Sequence, residues 1–253
     1  MTRNLTNNSA ALGPLLEEGA QELGVKLGKE ECDLFLAYLG ELAEWSRRIN
    51  LTAIKKETDI VCRHFLDSLS ADRFLEDGKR LLDIGSGAGF PGIPLKIVRP
   101  SLEVVLIDGV GKKVAFMKNV IRRLGLSGIE AVHGRIEEKG LIERYGGTFD
   151  VVLSRAFAEL GDYLTLAAPY VKAGGWVIAV KGPRGDRELE AAQSARHNLT
   201  LKGVEEVPIP FTERVSHYIL FQKGPDSTGN EREPSRKGGH CSTWNTVKTS
   251  LQR

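Results

Sequence analysis

The sequence predicts an α/β fold, a mostly parallel sheet with crossover helices, an N-terminal helical cap and an antiparallel closing hairpin, and three observations predict it. From Arg80 onward short apolar runs alternate with amphipathic stretches, the pattern of parallel strands joined by helices. The first run, Leu81-Leu82-Asp83-Ile84, empties into Gly85-Ser86-Gly87-Ala88-Gly89-Phe90-Pro91-Gly92-Ile93-Pro94, with four glycines in eight residues. The last two runs, Val204–Ile209 and Val215–Gln222, are separated only by 210–214, a link that can join only an antiparallel pair.

At 253 residues and 41% hydrophobic content the chain suits one medium domain with additions. The expected division is a helical cap at 1–75, a Rossmann-like domain at 76–223 and a disordered tail at 224–253, rich in Gly, Ser, Thr, Asn and charge. No apolar run reaches the ~18 residues of a membrane span, and the polar start lacks the basic and apolar regions of a signal peptide. The expected location is therefore the cytoplasm, as a monomer. Cys32, Cys62 and Cys241 are too scattered for a disulfide framework or metal site, and no metal is expected. Net charge is +2, and without the tail the chain balances at 30 basic against 30 acidic residues. Any nucleic-acid surface must then be a local patch.

In chain order, residues 1–12 read as a frayed polar start, and helical periodicity begins at Leu15. In Glu30–Arg48 the residues Phe35, Leu39, Leu42, Trp45 and Ile49 form a core-facing stripe. Asn50-Leu51-Thr52-Ala53 breaks it, and Asp59–Leu69 reads as another helix carrying Arg63, His64 and Asp67 at one-turn spacing. The expected role of that cluster is a solvated i, i+4 Arg63–Asp67 pair; the alternative is a cap presenting His64 and Asp67 to a ligand. Strands follow at Arg80–Ile84, Leu102–Asp108, Ile129–His133, Phe149–Ser154 and Trp176–Lys181, before the two of the hairpin. Between them come helices at Pro91–Arg99, Lys112–Leu124, Glu159–Val171 (stopped by Gly174-Gly175) and Asp186–Asn198.

In an open parallel sheet the ligand lies beyond the carboxyl ends of the strands. Gly87, Gly89 and Gly92 satisfy a G-x-G-x-x-G fingerprint, while Gly85, Gly87 and Gly89 make a tighter G-x-G-x-G. The second strand ends in Asp108, whose carboxylate can accept hydrogen bonds from both ribose hydroxyls of an adenosine cofactor. The candidates are NAD and S-adenosylmethionine. Asp83 is a poor neighbour for a pyrophosphate and a suitable one for an ammonium or its water shell. No second nucleotide half is visible, and the closing hairpin departs from an all-parallel dinucleotide domain. These points favour methyl transfer.

Asp83–Leu95, with Asn50-Leu51-Thr52, Arg63–Leu69, Lys112-Lys113, Ser154-Arg155-Ala156 and Lys181-Gly182, resembles the bacterial 16S ribosomal RNA guanine-N7 methyltransferases, the glucose-inhibited division protein B (methyltransferase G) family, over about residues 12–223. The resemblance implies a class I S-adenosylmethionine-dependent methyltransferase with a seven-stranded sheet. It implies cofactor contacts at Gly85, Gly87, Gly89, Phe90, Asp108, Ile136, Glu137 and Arg155, and 16S ribosomal RNA or the small-subunit particle as partner.

Guanine N7 has an available lone pair, so its methylation needs no general base; alignment suffices. No catalytic acid or base is assigned, and Arg155 and Lys181 are the candidates to hold the base or its phosphate. Lys112, Lys113, Arg135, Lys181 and Arg184 are the candidate RNA contacts, whereas Lys118, Arg122 and Arg123 read as a solvated helix face. Two alternatives stay open: a methyltransferase acting on a protein or small molecule, and a non-catalytic NAD-type regulatory module.

Overall fold

The computed structural model describes residues 6–54, 56–155, 157–182 and 198–225. Arg184, the tail beyond 225 and all but the last residue of the expected helix Asp186–Asn198 lie outside them. Seven strands, β1 (Arg80–Ile84), β2 (Glu103–Asp108), β3 (Ile129–His133), β4 (Phe149–Arg155), β5 (Val171–Lys181), β6 (Leu199–Pro208) and β7 (Val215–Lys223), form one sheet in the order β3-β2-β1-β4-β5-β7-β6. β1 to β5 are parallel, and β7 runs antiparallel to both β5 and β6. Because β2 and β3 lie on one side of β1 and β4 on the other, the strand order reverses between β1 and β4. That is where a ligand crevice opens in such sheets.

Side chains alternate across a strand, and here both faces are covered. Leu81, Val104, Leu106, Val151 and Leu153 face one core with Leu16, Phe35 and Phe116, while Leu82, Ile84, Val105, Ile107 and Val152 face a second with Leu160, Tyr163 and Leu164. The first core is shared between the sheet and the N-terminal helices α1 (Thr6–Glu22) and α2 (Lys29–Trp45); the second is covered by α7 (Lys139–Tyr145) and α8 (Leu160–Ala167). α5 (Gly92–Val98) and α6 (Gly111–Arg123) complete the crossovers. Phe35, Leu39 and Leu42 of the expected stripe are buried, with Trp45 and Ile49 half-buried against the same core.

Several elements differ from the sequence reading, and β6 starts at Leu199, ahead of the expected Val204. α1 begins at Thr6, inside the stretch expected to fray. α8 ends at Ala167, because Pro169 has no N–H with which to extend it, and Val171 instead opens β5. Gly174-Gly175 therefore does not stop a helix. It sits inside β5, where pairing jumps from Phe149↔Val171 to Val151↔Trp176; Gly174 has φ 77°, and a Cβ on Gly175 would come within 2.8 Å of the Asp150 carbonyl. The short α7 was not anticipated. The segment expected as one regular helix at Asp59–Leu69 is α3 (Glu57–Ile60), a π-helical turn (Val61–Leu66) and α4 (Asp67–Leu69).

Candidate functional site

The glycine loop resolves its own ambiguity of spacing. Gly85, Gly87 and Gly89 have φ of 70°, 61° and 92°, conformations that cost a side chain strain. Gly92 is required for a different reason: a Cβ there would lie 2.3 Å from Leu106 Cδ2, so it serves close packing of α5 on β2. The turn is the tight G-x-G-x-G, and the fourth glycine is a contact residue. The loop is pinned by Gly85 N–H donating to the Ile107 carbonyl at 2.8 Å and by Phe90 N–H to Ser86 at 2.9 Å. From the cap, the buried Tyr38 donates its hydroxyl to the Ala88 carbonyl and stacks on Phe90 at 5.5 Å.

Two carboxyls flank the loop. Asp108 accepts from Gly87 N–H at 2.9 Å and from Val110 N–H at 2.8 Å, so it holds the first and second loops together while each oxygen keeps a lone pair to accept another donor. Asp83 is fully buried; its Oδ2 accepts from Gly92 N–H at 2.9 Å, and its Oδ1 has no partner. Burial pushes this carboxyl up to about 8. An unpartnered buried carboxyl oxygen two residues before the glycine turn fits a cationic ligand group or its bound water, toward which the carboxyl would release the proton it holds without ligand, as the ammonium of S-adenosylmethionine would require.

A cleft of about 330 Å³ opens at these strand ends, lined by Gly85, Asp108, Val110, Arg135, Ile136, Glu137 and Phe157 among others. Ile136 is buried and its carbonyl accepts the Tyr170 hydroxyl, whereas Glu137 is tied to Arg135 at 2.7 Å at the exposed rim. An apolar wall with backbone groups and a carboxylate at one end suits a purine. Gly85, Asp108, Ile136 and Glu137 thus share one cleft, beside Gly87 and Gly89.

Arg155 and Phe90 stand apart from that lining. The Arg155 guanidinium is anchored to Asp67 Oδ2 at 2.7 Å, donates to His64 Nδ1 at 3.2 Å and lies 5.3 Å over the Phe90 ring. His64 stacks on the same Phe90 ring at 4.7 Å and 13°. Since arginine can only donate, His64 Nδ1 is the acceptor and the proton sits on Nε2, which donates to Thr52 Oγ1 at 2.7 Å. Burial, and then the charges of Arg155, Arg63 and Arg214, push this imidazole down to about 3. It is a neutral spacer with both nitrogens engaged.

This corrects the expected solvated Arg63–Asp67 pair. Asp67 is paired instead with Arg155, and its Oδ1 accepts from Ser216 of β7, while Arg63 is exposed. The physical reason is the π-helical turn: a wider helix rotates residues four apart off a common face, turning Asp67 inward and leaving Arg63 outside. The solvated face expected of α6 is also incomplete, because Arg123 pairs with Glu41 of α2 at 3.1 Å.

Of the candidate RNA contacts, Arg135 lines the cleft and Lys112 and Lys113 lie two and three residues past its lining residue Val110. The Lys181 ammonium donates to the Ala158 carbonyl, next to Phe157. The sequence reading missed Tyr38, Phe157 and the exposed Arg214. Phe157 could have been noticed as a solitary aromatic just past a strand end, and Tyr38 as an interruption of polarity within the stripe.

Residues 31–219 match the family described as GidB, rRNA small subunit methyltransferase G. The chain is 39% identical over 213 residues to the ribosomal RNA small subunit methyltransferase G of Thermoanaerobacter pseudethanolicus, covering 83% of this chain and 89% of that one. With the protein of the same name from Geotalea uraniireducens it shares 42% over 214 residues, 84% of this chain and 97% of that one. Among solved structures, M. jannaschii TYW2 in complex with AdoMet superposes with TM-score 0.51 at 12% identity, over 70% of this chain and 78% of that one, a likeness of fold alone. The chain belongs to the GidB family, rRNA small subunit methyltransferase G.

Proposed function

We propose that the protein transfers the methyl group of S-adenosylmethionine to N7 of a guanine in the 16S ribosomal RNA of the small subunit. The observation that supports this most is the convergence of the loops after β1 to β4 on one cleft, with the unpartnered Asp83 oxygen beside the glycine turn and Arg135 at the rim. Bound there, the cofactor supplies an electrophilic methyl on a sulfonium. Gly85, Gly87 and Gly89 let the backbone approach its methionine part, Asp108 takes the ribose hydroxyls, and Ile136 and Glu137 take the adenine. Phe90 and Arg155 act through the packed cluster with His64 and Asp67, which fixes the loops on either side of the cleft.

N7 attacks with its own lone pair, so no side chain removes a proton, and the neutral His64, its Nδ1 lone pair held by Arg155, has no free nitrogen with which to take one. The chain's contribution is alignment and exclusion of water. Lys112, Lys113, Arg135 and Lys181, with Arg184, contact phosphates, and Arg155 or Lys181 steadies the base. Residues 1–75 act as cap, 76–223 as the transferase domain and 224–253 as a tail, in a cytoplasmic monomer; among the described residues no helix is long and apolar enough to cross a membrane. The test is transfer of labelled methyl to small-subunit RNA, naked and in assembled subunits, followed by mapping of the modified base. Calorimetry showing NAD binding without S-adenosylmethionine binding would refute the reading.

A further inference from the structure

We infer that Phe157 is the stacking platform for the target guanine, an inference that rests on the methyl-transfer reading above. Phe157 lies past the end of β4, at the switch point of the sheet, and it is 40% exposed. Its chain neighbours are fastened on both sides: Arg155 is held by Asp67 and His64, and the Ala158 carbonyl accepts from the Lys181 ammonium. The ring is therefore presented by a loop anchored within two residues on one side and one on the other. Its inner edge rests on Gly85, where an added Cβ would lie 2.3 Å from Phe157 Cδ2. The glycine is thus required there both by its φ of 70° and by the ring.

An exposed phenyl ring at the mouth of a cofactor cleft, with Lys181 and Arg135 nearby, has the chemistry to hold an unstacked base. Aromatic faces replace the stacking that a splayed base loses. The reaction adds a second reason. As the N7–carbon bond forms, the carbon–sulfur bond breaks with its electron pair left on sulfur, no proton moves, and the positive charge passes from sulfonium to purine. The negative face of an aromatic ring is attracted to such a cation. Stacking on Phe157 is accordingly stronger in the transition state than on the neutral guanine, which raises turnover as well as binding.

The test compares Phe157→Ala, Phe157→Leu and Phe157→Trp in the full chain. Two quantities are read: kcat/KM for methyl transfer to small-subunit RNA, and the Kd for S-adenosylhomocysteine by calorimetry without RNA. Leucine keeps an apolar side chain against Gly85 but has no π face. The expected result is a fall of about tenfold to a hundredfold in kcat/KM for Phe157→Ala and Phe157→Leu. Phe157→Trp keeps most of the activity, and Phe157→Leu binds S-adenosylhomocysteine as the wild type does. Wild-type kcat/KM in Phe157→Leu overturns the stacking role, as does a loss in Phe157→Leu matched by an equal loss of S-adenosylhomocysteine affinity. If the wild-type chain itself transfers no methyl to small-subunit RNA, the reading of the previous subsection fails and this role falls with it. If the wild type is active and Phe157→Leu equally so, only the stacking role fails.

Discussion

Replacing Asp67 with alanine removes the anion that holds Arg155 at 2.7 Å, in a place where the two side chains are 12% and 18% exposed. At that separation and an effective dielectric of about 20, the direct attraction is about 6 kcal/mol, most of it offset by desolvation. The loss of one partner leaves the other charge stranded, which costs about 3–5 kcal/mol in buried pairs. The residual exposure puts Asp67→Ala at the low end, about 3 kcal/mol, or a fall in Tm of about 6–12 °C for a chain of this size. Asp67→Asn keeps an acceptor for Ser216 and should lose about half as much. Thermal unfolding of the two variants, of Arg155→Ala and of the Asp67→Ala/Arg155→Ala pair measures this, the double variant recovering at least about 1 kcal/mol relative to the sum of the singles. A Tm within about 2 °C of wild type for Asp67→Ala, or strict additivity, would refute the clamp.

Asp108→Ala should weaken S-adenosylhomocysteine binding by about tenfold or more, since it removes the ribose acceptor and frees Gly87 and Val110 N–H groups; an unchanged Kd counts against its role. Arg155→Ala should lose RNA methylation, and wild-type turnover would remove it from the site. Asp83 and His64 set opposite pH dependences. The folded carboxyl of Asp83 titrates at about 8, far above its ordinary value, so the folded state holds an extra proton and stability falls as pH rises from about 4 to about 8. His64, held down to about 3, makes stability rise with pH up to about 6.5. The two cancel between about 4 and 6.5, leaving Asp83 alone above that, a loss of up to about 1.4 kcal/mol per pH unit. Asp83→Asn should therefore be flatter than wild type in urea unfolding between pH 6.5 and 8, and equal slopes would contradict the buried proton.

The sheet was legible because its evidence is local and repeated: β1, β3 and β7 are read almost to the residue from apolar runs bounded by Gly, Pro and Asp. The cleft-lining residue Asp108 was legible for a related reason, since it ends a strand whose direction the alternating pattern gives, whereas Ile136 and Glu137, in the loop past β3, came only through the family resemblance. What stayed hidden depends on contacts between distant segments. Asp67 meets Arg155 across 88 positions, and i, i+4 spacing suggests a different partner, because a π-helical turn leaves no mark in hydrophobic periodicity. Gly174-Gly175 was misread since two glycines end a helix or fill a bulge with equal ease, and only the pairing of β4 with β5 decides. Tyr38 was lost among ordinary core residues because its hydroxyl finds its acceptor 50 residues away.

The most direct test of the central claim is methyl transfer from labelled S-adenosylmethionine to small-subunit ribosomal RNA, offered naked and in assembled subunits, with the product nucleoside identified. The account predicts label in 7-methylguanine at one position of the 16S RNA. Label in another base, or none in RNA under either condition, would contradict it.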